Sequence, residues 1–188
     1  MKLFKLTDEK GFTKNKTKWT EGYTLTLPSK DNPRLCSLDV VHAYKNKNLA
    51  LLLNPIHANI NNPLLWEARG NVVVEEYGKV GCFALTTTKQ IPLPNWYINE
   101  DKKKDTIILF AILCAESVLQ VYENEYPKDD RPRKAIEAAK EYLKTKTARA
   151  ARAAAYAADA AARAAYAKKI NFGKLADLAV KQIQGVNK

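Results

Sequence analysis

Cysteine, histidine, glycine and methionine are all scarce in this chain: its 188 residues hold 3 Cys, 2 His, 7 Gly and 1 Met. Cys36, Cys82 and Cys114 are scattered and include no CxxC pair. Only His42 and His57 could join them at a metal, and a zinc site from Cys36, His42, His57 and Cys82 would match no common ligand framework. Buried free thiols and ordinary hydrogen-bonded histidines are therefore expected, with no metal and no cofactor. The glycines form no GxGxxG, GxxxxGK[ST] or GxSxG pattern, and HExxH is absent as well, so no sequence signature supports an enzyme. A Cys–His pair assembled in three dimensions from Cys36 or Cys82 with either histidine is one arrangement that the residues leave open. Asp39 near His42, and Asn54 or Asn59 near His57, are the local polar partners in reach. Long apolar runs are also missing. The longest, such as residues 106–115, fall well short of the ~20 residues of a bilayer span. The opening MKLFKLTDEK alternates like a strand and has no apolar signal core. These absences lead to the expectation of a soluble protein of the bacterial cytoplasm or of an infected cell, with no membrane partner.

What the chain does have is positive charge, unevenly placed. The formal net charge is +11. Residues 1–100 carry 13 Lys/Arg against 9 Asp/Glu, and residues 101–188 carry 18 against 11. Residues 141–188 alone hold 10 basic and 3 acidic residues, so the excess of the second half belongs to its terminal helices. A basic face of this kind suits nucleic acid or an acidic protein surface, and it also keeps an alanine-rich helix in water.

The pattern divides the chain into an α+β domain, 1–98, and a helical domain, 99–188. In the first, KLFKLT (2–7) reads as a strand, residues 19–27 as a second, and residues 37–53 as containing a helix stopped by Asn54-Pro55. Residues 64–76 and 80–91 are β-rich runs joined by Tyr77-Gly78-Lys79, which predicts a hairpin with Glu75 and Glu76 on its solvated edge. Residues 95–104 read as a connector. In the second domain, residues 105–126 carry apolar side chains at a period of 3.6 until Pro127. Asp129-Asp130-Arg131-Pro132 then opens another helix, with the acidic pair as its cap. Thr145 to Thr147 leaves open whether it continues into the next segment. Asn171-Phe172-Gly173 precedes a last amphipathic helix. The fold expected is a small mixed sheet domain followed by an Ala-rich antiparallel helical bundle.

Residues 148–167 read ARAARAAAYAADAAARAAYA. The non-alanine residues Arg149, Arg152, Tyr156, Asp159, Arg163 and Tyr166 recur at heptad spacing, which puts them on one stripe of a helix. Tyr142 and Thr145 extend the stripe backward, and Lys144, Lys146, Lys168 and Lys169 flank it. Arg and Tyr are residues of interface hot spots. Arg149, Arg152, Tyr156, Arg163, Tyr166, Lys168 and Lys169 are the candidate binding residues, toward an acidic protein groove or toward RNA or single-stranded nucleic acid. The same pattern also arises when the stripe is a solvated outer face, or when Tyr142, Tyr156 and Tyr166 turn inward to fill a bundle.

Two stretches carry resemblances. FAILCAESVLQVYENEYPKDDRPRKAIEAAKEYL (110–143) with the Ala/Arg/Tyr run resembles the Ala-rich helical domain of immunity proteins linked to bacterial polymorphic toxins, over about residues 105–170. Its most specific element is residues 129–139. Members of that family often carry His among the alanines, where this chain has Tyr156, Asp159 or Ala. HAYKNKNLALLLNPIHANI (42–60) and LWEARGNVVVEEYGKVGCFALTTTKQIPLP (65–94) look like an uncharacterised domain of phage proteins. The resemblances imply a mobile-element setting and the occupation of an inhibitor, and they imply no catalytic residues. The expected function is a non-enzymatic inhibitor that binds a bacterial defence protein, a ribonucleoprotein or a toxin, an anti-CRISPR-type role being the most concrete version. Direct binding of RNA or DNA is the alternative, followed by an enzyme with its site in the N-terminal domain.

Overall fold

The structure, a computed structural model, describes residues 1–14, 16–76, 78–146 and 170–185. The chain forms two compact units, Met1–Asn95 and Trp96–Lys188. The first is built on five antiparallel strands and the second on helices, an α+β architecture.

In the first unit β1 (Lys2–Thr7), β2 (Thr24–Thr26), β3 (Val41–Tyr44), β4 (Leu64–Glu76) and β5 (Lys79–Ile91) share one sheet. β4 and β5 form the hairpin expected around Gly78, whose φ of +79° suits a residue without a side chain. The register shifts between Glu67 and Ala68, and again on either side of Val72. Such irregularities bend a long hairpin and let it serve different partners along its length. One edge of β5 accordingly meets β3 and then β2. β4 pairs with β1 as well as β5, and β1 pairs with β3, so β1, β4, β5 and β3 close into a ring. Closure leaves few unpaired strand edges. Leu3, Trp19, Val41, Ala43, Ala68, Val80, Cys82 and Leu85 fill the core.

Two expectations for this unit change. The second strand spans only Thr24–Thr26, and residues 37–53 contain strand β3 before helix α1 (Lys47–Leu52). The Asn46 side chain caps α1 by accepting from the Leu49 amide at 2.9 Å. Asn54-Pro55 does end α1, yet the chain turns at once into a short α2 (Asn54–His57) with Pro55 in its first turn, a position where the missing amide costs nothing.

The second unit begins with α3 (Asn95–Ile98) and α4 (Glu100–Glu125), so the supposed connector is helical. The side chain of Asn99 caps α4, and Glu100 and Asp101 occupy its positive first turn. At 26 residues α4 is long and apolar enough to cross a membrane by length and composition, which corrects the expectation drawn from residues 106–115 alone. Within the unit, α4 packs against α5 (Arg131–Thr145) and α6 (Phe172–Ile183), and Phe110, Ile112, Cys114, Ala115 and Val118 are buried. Two of its carboxylates are tied to α5, Glu116 by Lys140 at 2.6 Å and Glu123 by Arg133 at 2.7 Å. α5 stops at Thr145, where Lys146 adopts a left-handed conformation (φ 57°).

Candidate functional site

Alternation along β3 and β5 gathers several reactive side chains of the first unit. His42 lies opposite Gly81 and Tyr44 opposite Lys79, while Val41 and Ala43 face Cys82 and Val80 in the core. His42, Tyr44 and Lys79 therefore share the sheet face opposite that of Val41 and Ala43, and Tyr44 is buried there. Gly81 is required there: a β-carbon would lie 2.5 and 2.8 Å from the Val40 side chain and 2.8 Å from that of Val74. The loop before β3 brings in Cys36, whose backbone N–H donates to His42 Nε2 at 3.0 Å. The Cys36 sulfur accepts from the Lys79 ammonium at 3.3 Å. Cys36 is exposed and has a φ of 61°. α2 supplies His57, whose Nδ1 lies 2.9 Å from the Tyr44 hydroxyl with the two rings stacked.

Both histidines are held neutral. Burial, then the charges of Lys79, Lys5 and His57, lower the His42 pKa to about 4. Burial followed by Lys79 lowers that of His57 to about 4. A neutral His42 that accepts at Nε2 carries its proton on Nδ1. Burial raises the Tyr44 pKa, so its phenol is assigned as the donor to His57. Beneath them, Lys5 reaches from β1 into the core. Its ammonium donates to the His42 carbonyl at 2.9 Å and sits 4.5 Å from the Trp19 ring centre. Desolvation pulls its pKa down to about 8, with Cys82 opposing and Lys79 adding to the fall.

The sequence-based candidates fare unevenly. Cys36 and His42 do meet, but through the Cys36 backbone rather than its thiol, so they form no Cys–His dyad. Cys36 is exposed, contrary to the buried thiol expected, whereas Cys82 and Cys114 are buried. The Asp39 carboxylate accepts from Lys30 and the Arg34 amide instead of meeting His42, and its own N–H donates to the Ser37 hydroxyl. Asn54 holds the backbone of Ile60 through both atoms of its side-chain amide. Among the described residues no three His, Cys, Asp or Glu side chains converge on a possible metal position. Cys82 faces the core while Cys36 is exposed, which separates the two sulfurs of the imagined zinc set. Glu75 lies at the exposed hairpin edge, as expected, paired with Lys45. Lys79 was the residue missed, because 43 positions separate it from Cys36 and only the β3–β5 register joins them.

Arg149, Arg152, Tyr156, Arg163, Tyr166, Lys168 and Lys169 all lie outside the described residues. The start of their stripe is described. Tyr142 is 4% exposed and turns inward, with the ammonium groups of Lys104 and Lys146 at 5.0 and 5.5 Å from its ring centre. Lys146 is paired with Asp105, so it adds little to a basic surface.

The segment 129–139 has a clear structural role. Asp129, not Asp130, caps the corner: it accepts from the Arg131 amide at 3.1 Å, from the Arg131 guanidinium at 2.8 and 2.6 Å, and from the Tyr122 hydroxyl at 2.7 Å. Arg133 grips Glu123 of α4 through two bonds of 2.7 Å, and Ile136 and Ala139 are buried. This corner is also where a likeness to known proteins falls. Residues 98–172 match the family described as "Imm-5 like putative immunity protein". The match covers most of the helical unit and leaves residues 1–97 and 173–188 outside it. No curated protein and no solved structure matches the chain.

Proposed function

We propose that the chain is an inhibitor of the immunity type, binding a bacterial toxin stoichiometrically rather than turning over a substrate. The observation that carries this reading is the family match over residues 98–172. The corner at Asp129 explains how that segment folds, through bonds made within the chain, and so does not itself supply a partner surface. The contact is assigned instead to the basic segment that follows: Arg149, Arg152, Tyr156, Arg163 and Tyr166 at heptad spacing, with Lys168 and Lys169 beyond. An acidic groove on the toxin is the complementary chemistry.

Capture of partners from a bacterial lysate, with and without nuclease, tests the reading beside an Arg149/Arg152/Arg163→Ala variant. A protein partner that survives nuclease and is lost with the variant is the expected result. The net charge of +11 favours one other reading, direct nucleic-acid binding. In that case RNA or DNA alone is recovered, and affinity falls steeply with salt.

A further inference from the structure

We propose that the bond from the Cys36 N–H to His42 is an acid-labile latch: when His42 takes up a proton, the loop before β3 leaves the sheet while the sheet stays folded. The device goes beyond toxin binding and lies outside the region that carries the family match. Residues 27–40 connect β2 to β3. Leu27 is still held to β5, its amide donating to the Phe83 carbonyl at 2.7 Å. Beyond it, the hydrogen bonds among Lys30, Arg34, Ser37 and Asp39 run within the loop itself. Among the described residues, the hydrogen bonds that tie 28–39 to the sheet are both made by Cys36. Its N–H donates to His42 Nε2 on β3 at 3.0 Å, and its sulfur, a weak acceptor, receives the Lys79 ammonium of β5 at 3.3 Å.

The first of these bonds does not outlast protonation. A backbone N–H only donates, and an imidazolium carries protons on both nitrogens, so two donors would face each other. The other histidine differs in this respect, because the Tyr44 hydroxyl can turn from donor to acceptor when His57 takes up a proton. The surroundings of His42 also oppose a new positive charge. Lys5 faces it from β1, Lys79 from β5 and His57 from α2, all of them basic. The Asp39 carboxylate that could offset the charge is turned to Lys30 and the Arg34 amide. Opening the loop returns the ring to water, and its pKa rises from about 4 toward the ordinary 6.5. Above 6.5 the ring is neutral in both forms and the latch holds in full. As pH falls toward 4 the open form gains on the closed one, by at most about tenfold per pH unit for a single proton.

Hydrogen exchange of the Cys36 amide, corrected for its intrinsic rate, is followed by NMR in the full chain from pH 7 to pH 4. The ring protons of His42 and the amides of the β4–β5 hairpin are recorded beside it. Protection of the Cys36 amide is expected to fall in step with the titration of the His42 ring, while the hairpin amides keep theirs. His42→Gln retains an acceptor without a titrating proton and should make Cys36 protection independent of pH, whatever its level. His57→Gln and Asp39→Asn each remove another titrating group nearby and should leave the step in place. Cys36 protection that stays constant while His42 titrates overturns the proposal, as does a step that survives His42→Gln or a simultaneous loss of the hairpin amides. The wild-type comparison of ring and amide decides the matter even where His42→Gln fails to fold.

Discussion

Lys5 carries a desolvation cost inside the first unit, and replacing it by Met exposes that cost as a function of pH. The side chain is 7% exposed, and its pKa falls from 10.5 to about 8, chiefly through desolvation. In free energy that fall is about 3 kcal/mol. The unfolded chain keeps the ordinary value. Below pH 8 both states are charged, and the folded state bears the whole cost of burying the ammonium. Between 8 and 10.5 only the unfolded state keeps the proton, so wild-type stability rises by at most about 1.4 kcal/mol per pH unit. Above 10.5 the cost is gone. The contacts with the His42 carbonyl and the Trp19 ring are already contained in the folded-state value. Lys5→Met has no such dependence. Urea unfolding of both proteins across pH 7–11 therefore yields a stability difference that shifts by about 3 kcal/mol in favour of the wild type as pH rises. A difference that stays constant across that range refutes the burial of a charged Lys5.

Three other perturbations test the site and the corner. Gly81→Ala forces a methyl group against Val40 and Val74 and should lower stability by about 1–3 kcal/mol, read from the denaturant midpoint. His42 and His57 have folded-state pKa values below the unfolded 6.5, so their contribution is complete above about 6.5 and is lost as pH falls toward 4. His42→Gln and His57→Gln should each shallow the loss of urea midpoint over that window, and an unchanged slope contradicts the assignment. Arg131, and then Tyr122, hold the Asp129 carboxyl well below the usual range. Asp129→Asn should thus lower the melting temperature at pH 7, with the deficit shrinking as pH falls below the ordinary aspartate value, where the unfolded chain takes up a proton that the folded carboxylate does not.

Local pattern made part of this molecule legible before its structure. β1 and the β4–β5 hairpin follow from alternation and from Gly78, and α5 and α6 follow from apolar period and flanking residues. The strand within residues 37–53 was hidden because VHAY is short and becomes a strand only by pairing with Lys79–Cys82, far along the chain. The start of α4 was hidden by its charged first turns, which read as linker although Asn99 caps them. Ring closure was beyond reach for the same reason as β3, since it depends on β1 and β5 both meeting one four-residue strand. The site divides along this line too. Cys36, His42 and His57 stood out by their chemistry, but which of them meet, and that Lys79 rather than a histidine reaches the Cys36 sulfur, is set by register between distant strands. Tyr142 had two readings, part of an outward stripe or of a core, and the inward position is the one observed.

The claim that matters most is stoichiometric inhibition of a toxin, and a titration tests it most directly. The activity of the toxin captured with this chain is measured against increasing amounts of the purified protein, in wild-type form and with Arg149, Arg152 and Arg163 replaced by Ala. The account predicts that activity falls linearly to zero near one equivalent, at once on mixing, and that the triple variant needs a large excess. Full activity at every ratio, or loss that grows with time at substoichiometric amounts of the chain, contradicts it.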